Sequence, residues 1–303
     1  MSIEDPKLTL LLQIIEEEYR ANIQEVRPVS GGYHKTYRFL MDNQYYFMKI
    51  AEFDWDLERF GKELAFVNMI HDNNISFLVP NHINIIQKNN TLVLIESALC
   101  GVSLKQYFGK VNCEIIADQL LELHQKTEAS ASSWREIYYK KSIQLEHHLE
   151  ILKDSIPLEL YKKINDKSSY FLEIVEKPNL ICTVHGDIGY GNILVNSNDG
   201  ELIGFVDFEW TRQDDPITEF VNIIYSANEC CHERLSIIHK YIKKSEYLNF
   251  FKRLDAYSFF HAIRRLALSI NETQKKQKII NDSYSVLDYL ITNDNILYWR
   301  NFE

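Results

Sequence analysis

His185, Asp187 and Asn192 stand in one polar loop, Thr183-Val-His-Gly-Asp-Ile-Gly-Tyr-Gly-Asn-Ile-Leu-Val195, and another acid, Asp207, ends the run Leu202-Ile-Gly-Phe-Val-Asp-Phe208. An acid, an amide five residues later and a second acid after a hairpin suit phosphoryl transfer. One carboxylate can accept a hydroxyl proton, while an amide oxygen and a second carboxylate hold Mg²⁺ against phosphates. Asp187 is the candidate base, and Asn192 and Asp207 are the candidate metal ligands. Any one of these residues alone would read as a turn former or a cap. The ordered set carries the chemistry, and His185 reads as a hydrogen-bonding support rather than a second base.

The elements upstream must supply the phosphate grip. Tyr45-Tyr-Phe-Met-Lys-Ile50 reads as a strand whose Lys49 would reach the α- and β-phosphates. An acid on the helix predicted over 56–71 would hold it. Glu63 is the first choice, with Glu58 and Glu52 as rivals. Ser30, Gly31 and Gly32 form a turn between two β-like runs, where glycines allow close backbone approach and exposed N–H groups can bind phosphate oxygens. The segment from Glu96 through Ala98 to Leu99 would pair with the nucleotide base through backbone N–H and C=O groups, which makes its side-chain identities uninformative.

The chain has 303 residues, 46% apolar and 25% charged, as expected of an ordinary globular protein with two lobes. Lys plus Arg count 33 against Asp plus Glu 43, a formal charge of −10. That balance disfavours a nucleic-acid backbone as partner and suits a cationic ligand. The start lacks a basic segment and an apolar signal core, no run approaches the ~20 apolar residues of a membrane span, and the five cysteines form no C-x-x-C pair. A cytoplasmic enzyme with reduced thiols is the expectation.

Apolar spacing predicts a helix over 6–20, a three-stranded meander ending at Ile50, the helix over 56–71, and strands over 83–87 and 91–96. Ser103 is a candidate N-cap for the next helix. Helices are predicted over 114–125, 133–153, 158–176, 248–269 and 277–290, with Asn198-Asp-Gly200 turning the hairpin before Asp207. Asp215-Pro216 reads as a helix start. The fold class is α+β, a small antiparallel sheet with one key helix over 1–98 and a larger helical region over 99–303, hinged near 97–102.

At these residues the chain resembles the aminoglycoside phosphotransferase and choline kinase family, small-molecule relatives of protein kinases. The resemblance runs from Ser30 through Glu219 and rests mainly on His185-Gly-Asp187, Asn192 and Asp207. It implies a bilobal protein-kinase-like fold, Asp187 as base, Mg²⁺ on Asn192 and Asp207, Lys49 with Glu63 on the phosphates, and ATP or GTP as donor. It also implies an acidic substrate cleft in the helical lobe. Gly186 stands where protein kinases carry Arg, Glu209 where they carry Gly, and no Ala-Pro-Glu segment follows, so a peptide-docking segment does not fit. Glu219 occupies a position where relatives often carry Asp.

The acceptor is read from charge alone. Glu209, Asp214, Glu219, Glu229 and Glu233 follow the metal ligands and would bind ammonium groups, although solvated surface acids are the plainer account. An aminoglycoside O-phosphotransferase of the antibiotic-resistance type is the first expectation. A metabolic kinase for choline, a sugar, homoserine or a methylthioribose-like substrate is the alternative, and a nucleotide-binding pseudokinase scaffold the third. The sequence leaves the oligomeric state open.

Overall fold

The computed structural model describes residues 6–29, 34–88, 91–129, 131–178, 180–226, 231–245, 247–270 and 277–292. In chain order the elements are α1 (Pro6–Tyr19), β1 (Ile23–Val29), β2 (Lys35–Met41), β3 (Gln44–Ile50), α2 (Asp56–Asp72), β4 (Ile83–Lys88), β5 (Thr91–Ser97) and β6 (Val102–Ser103). There follow α3 (Cys113–Lys126), α4 (Ala131–Lys153), α5 (Leu158–Val175), β7 (Cys182–Val184), β8 (Ile193–Val195), β9 (Leu202–Phe205) and β10 (Arg212–Asp214). The last are α6 (Ile217–Ser226), α7 (Cys231–Ser245), α8 (Phe250–Ser269) and α9 (Gln277–Thr292).

These elements form two compact units, residues 1–111 with 191–211, and residues 112–190 with 212–303. The division differs from the cut expected at residues 98–99, for a reason visible in the pairing. Val102 and Ser103 pair with Val195 and Leu194, so β6, β8 and β9 form one small sheet in the first unit. Ser103 is therefore a strand residue. It caps no helix, and α3 begins ten residues later behind Asn112.

In the first unit a five-stranded antiparallel sheet has the order β1-β2-β3-β5-β4. Alternation in β3 and β5 sends Met48, Ile50, Val93 and Ile95 to one face, where Leu8, Leu11, Ile14 and Ile15 of α1 cover them. Lys49, paired with Leu94, and Glu96, paired with Phe47, belong to the opposite face. The buried stripe of α2 is Asp56, Phe60, Glu63, Phe66, Val67 and Ile70. Leu57 on this helix is exposed, while Glu63 lies inside the buried stripe. Stacked rings join α2 and the stretch after it to β9 and the residues beyond it: Phe77 on Phe205 at 4.3 Å, and Phe66 of α2 on Phe208 at 4.7 Å. Each such ring contributes ~1.5–3 kcal/mol by burial.

The second unit is helical apart from the β7–β10 pair. Helix α8 is its centre, packed by α4, α5, α6 and α9, with Leu254, Phe259, Ala262, Ile263 and Leu266 fully buried. An apolar helix surface this wide belongs to a core helix rather than an amphipathic surface one. Among the described residues no helix is long and apolar enough to cross a membrane. Cys113 and Cys182 are buried and Cys100 is exposed, and none of the three is in a disulfide.

Candidate active site

Lys49 lies at the centre of the first unit's polar cluster. Its Nζ donates to Glu63 Oε1 and Oε2 at 2.9 and 3.1 Å and to Asp207 Oδ1 at 3.3 Å. Glu96 Oε1 lies 3.5 Å from the same nitrogen. Burial presses the Lys49 pKa down, but the carboxylates of Glu63, Glu96 and Asp207 outweigh it and hold the ammonium well above the usual amine range. Glu63 Oε1 also accepts the N–H of Phe208 at 3.1 Å, so one carboxylate ties β3, α2 and the residue after Asp207 together. The rivals do not compete for Lys49. Glu58 is an exposed partner of Lys62, and Glu52 offers its N–H to Asp56.

The β8–β9 register brings the two candidate metal ligands to one end of a hairpin. Ile193 pairs with Phe205, and Val206 donates to the Asn192 carbonyl at 3.1 Å, which leaves Asp207 one residue beyond. Asp207 has φ 71°, a left-handed conformation that Asp tolerates better than most residues. Held strain of this kind concentrates at sites where a side chain must point in a fixed direction. An amide oxygen and a carboxylate are hard donors of the kind suited to Mg²⁺. Among the described residues no set of three or more His, Cys, Asp or Glu side chains gathers for a metal.

Glu96 behaves differently from a backbone-only base-pairing residue. Its side chain is 4% exposed, and burial, partly offset by Lys49 and reinforced by Glu63 and Asp207, pushes its carboxyl up to about 7. Because the folded value exceeds the ordinary 4.5, the stability tied to this proton is complete below pH 4.5 and is lost as pH rises to about 7. Glu96→Gln should therefore raise the melting temperature relative to wild type more at pH 8 than at pH 5. A difference independent of pH would contradict this placement. The next two N–H groups are already engaged, Ser97 by the His82 carbonyl and Ala98 by the Tyr45 carbonyl, both at 2.8 Å.

In the second unit, the loop carrying Asp187 hangs from α6. Glu219 is fully buried and accepts the N–H of His185 through Oε1 and that of Gly186 through Oε2, the latter at 3.1 Å. Asn222, one turn on, donates to the Gly186 carbonyl at 2.9 Å. His185 Nδ1 accepts the Asp187 N–H at 3.4 Å, which gives the histidine its supporting role. Burial would raise the Glu219 carboxyl, yet hydrogen bonds and charge from His124 and His185 hold it below the usual range. Gly186 has φ 82°, a conformation that glycine adopts without cost and the arginine of protein kinases would resist. Asp187 itself is half-buried.

Three of the five acids expected to bind a cationic substrate are used internally. Glu209 is 6% exposed and meets His34 Nε2 at 3.0 Å and Arg59 at 3.7 Å. Asp214 is fully buried and meets Lys141 at 2.8 Å and Arg212 at 2.9 Å, cations that hold its carboxyl below the usual range against the effect of burial. Glu219 holds the loop. The expectation that these three face a ligand is corrected, because each already has a partner and little or no exposed surface. Ser30, Gly31, Gly32 and Glu229 lie outside the described residues, as does the side chain of Glu233 on α7.

Sequence reasoning did not single out His34 or Arg59. His34 packs on Phe60 at 5.1 Å, and Arg59 covers Trp210 at 4.5 Å, so the residue before β2, α2 and the stretch after Asp207 share one contact cluster. The faint sequence signal is Arg59 on the same helix as Glu63, one turn earlier.

With that geometry in place, the sequence profile of the phosphotransferase enzyme family matches residues 25–249. The chain belongs to the phosphotransferase enzyme family. No curated protein matches this phosphotransferase significantly in sequence. Among solved structures, it is similar to aminoglycoside 2'-phosphotransferase-IIIa in its GDP complex, with TM-score 0.69 and 15% identity over 96% of this chain and 100% of that one. Spectinomycin phosphotransferase with ADP and spectinomycin gives 0.62 at 15%, over 94% and 97%. Macrolide 2'-phosphotransferase type I gives 0.61 at 14%, over 95% and 99%. At such identities these likenesses establish the kinase-like fold of this phosphotransferase.

Proposed function

We propose that the protein transfers the γ-phosphate of a nucleoside triphosphate to a hydroxyl group of a small molecule. The observation that carries this reading is Lys49 bound at once to Glu63 on α2 and to Asp207 at the end of the hairpin. A lysine so placed can bind phosphate oxygens while Glu63 fixes its position. Asn192 and Asp207 would hold Mg²⁺, which would supply positive charge against the transferred phosphoryl group. Asp187 accepts the acceptor hydroxyl proton as the new O–P bond forms and the bond to the nucleoside diphosphate breaks. The Glu219 clamp keeps the loop backbone in place through that transfer.

An aminoglycoside is the first acceptor class we propose. The formal charge of −10 and the fold shared with an aminoglycoside 2'-phosphotransferase support it. A metabolic hydroxyl compound such as choline, a sugar, homoserine or a methylthioribose-like molecule is the second reading, favoured by the internal pairing of Glu209, Asp214 and Glu219. An assay of nucleotide loss and product mass across both panels tests them. A phosphorylated aminoglycoside supports the first, and a phosphorylated metabolite alone moves the assignment to the second. Absence of both products and of magnesium-nucleotide binding would remove the kinase reading.

Asp207→Asn keeps the shape of the side chain and its tolerance of positive φ while removing the charged ligand. Magnesium-dependent nucleotide binding should weaken by about tenfold to a hundredfold, the range seen when metal-site support is lost. Titration of nucleotide affinity against magnesium concentration checks it, and an unchanged dependence would contradict the ligand assignment.

A further inference from the structure

The charge beside the proposed base has the opposite sign to that of the whole chain. On α8, His261, Arg264 and Arg265 stand at i, i+3 and i+4, so they share one helix face, and Arg264 is exposed there. One turn earlier the same face carries Tyr257, whose ring centre lies 5.2 Å from Lys141 Nζ of α4. Lys141 and Arg212 both reach Asp214, at 2.8 and 2.9 Å, which brings β10 alongside that face. Arg212 pairs in register with Val184, the last strand residue before the Asp187 loop, and its side chain is 43% exposed. The electrostatics follow this geometry. Burial and the charges of Arg265, Arg264 and Arg212 push the His261 ring down to about 3. Burial and Arg212 hold Arg264 below the usual guanidinium range, while Asp187 acts in the opposite sense. Guanidinium groups set together against their mutual repulsion, beside the proposed base, form a place suited to an anion.

We propose that Arg264 and Arg212 bind an anionic group of the acceptor, a carboxylate or a phosphate, so that the protein phosphorylates an acidic hydroxy compound in preference to a polyamine. The inference rests on the phosphotransferase reading above and, within it, favours the second acceptor class. The formal charge of −10 is a sum over the whole chain, whereas an acceptor meets the local field at the loop. Three acids that could have met ammonium groups, Glu209, Asp214 and Glu219, have partners inside the protein. A planar guanidinium presents paired N–H donors that match two oxygens of a carboxylate or phosphate. With its anion so held, the acceptor gives its hydroxyl proton to Asp187, and its oxygen takes the γ-phosphoryl group from the departing nucleoside diphosphate. A polyamine would instead bring ammonium groups against Arg264.

Nucleotide loss and product mass on matched acceptors test the assignment. One series is glucosamine, glucose, glucuronate and glucose monophosphate; a shorter one is serinol, glycerol, glycerate and glycerol phosphate; aminoglycosides are assayed beside them. Wild type should favour an anionic member over the neutral member of its series about 10- to 100-fold in kcat/KM, the effect usual for hydrogen bonds to a charged group. The acid and phosphate members show which anion is held. Arg264→Gln should remove most of that preference, and Arg264→Lys, which keeps the charge without the paired donors, should retain part of it. If Arg264 steadied only the transferred phosphoryl group, its loss would lower kcat for every acceptor alike and leave the ratio intact, and that result overturns the proposal. So does a product confined to amines or neutral members, or no product from any acceptor while magnesium-ADP still binds. The wild-type ordering decides this even if a variant fails to fold. A wild type that does not bind magnesium-ADP either sinks the kinase reading with it.

Discussion

Asp187→Asn should lower kcat by ~10²–10⁴-fold, the usual contribution of a positioned general base. The substitution is nearly isosteric, and the loop is held by contacts that do not involve the Asp187 carboxylate: Glu219 on the N–H groups of His185 and Gly186, and Asn222 on the Gly186 carbonyl. The loop should therefore keep its shape. Magnesium-nucleotide affinity should stay within about threefold of wild type, because Lys49, Asn192 and Asp207 are untouched, and a factor of three is well under 1 kcal/mol. The effect should be equal in kcat and kcat/KM for the acceptor, the signature of an interaction made in the transition state. Steady-state rates on the acceptor found in the panel, together with nucleotide titration, provide the check. A near-normal kcat would take the base role from Asp187.

Asp215→Ala should cost ~3–5 kcal/mol of folding stability, the range for removing one partner of a buried ion pair. Against a typical total of ~5–15 kcal/mol, that is enough to threaten the fold. Asp215 is fully buried and accepts from the Ile217 N–H at 3.0 Å, Tyr247 at 2.9 Å, Tyr257 at 3.3 Å and Arg253 Nε at 2.8 Å, with Arg253 Nη2 also bound. Arg253 is 3% exposed, and the carboxylate of Asp215 raises its pKa against the effect of burial. Without Asp215 the guanidinium keeps the carbonyls of Ile174 and Lys177 and the Tyr257 ring, but no counter-charge among the ion pairs of the described residues. Urea denaturation should show the loss, and the double variant Asp215→Leu with Arg253→Met should lose less than Asp215→Ala alone. A single variant within 1 kcal/mol of wild type would show that the pair carries little.

The residues whose neighbours lie close in the chain were legible in the sequence. Asn192 and Asp207 flank one hairpin, and the alternation of β8 and β9 with a turn at Asn198–Gly200 is enough to bring them together. Lys49 and Glu63 lie fourteen residues apart on adjacent elements, and helical spacing nominated Glu63 among three acids. Glu209, Asp214 and Glu219 were not legible. Their partners are His34, 175 residues away, Lys141, 73 away, and a backbone 33 to 34 away. An acid with a distant partner looks the same in one dimension as an acid facing a ligand. Ser103 failed for a similar reason, since its strand partner Leu194 comes from much later in the chain. Asp215 was read as a helix start, which its bond to the Ile217 N–H fits, but its tie to Arg253 needed α8 to be in place.

The cluster around Lys49 sets one cation against three carboxylates, those of Glu63, Glu96 and Asp207. As an ionic balance, this gives the cluster a net negative charge, larger once Glu96 ionises above about pH 7. A bare triphosphate entering it would bring further negative charge to a place already in excess, so the field favours a donor that arrives carrying its own counterion. Metal and nucleotide would then behave kinetically as one ligand, and nucleotide in excess over magnesium would be a poor competitor rather than a strong one.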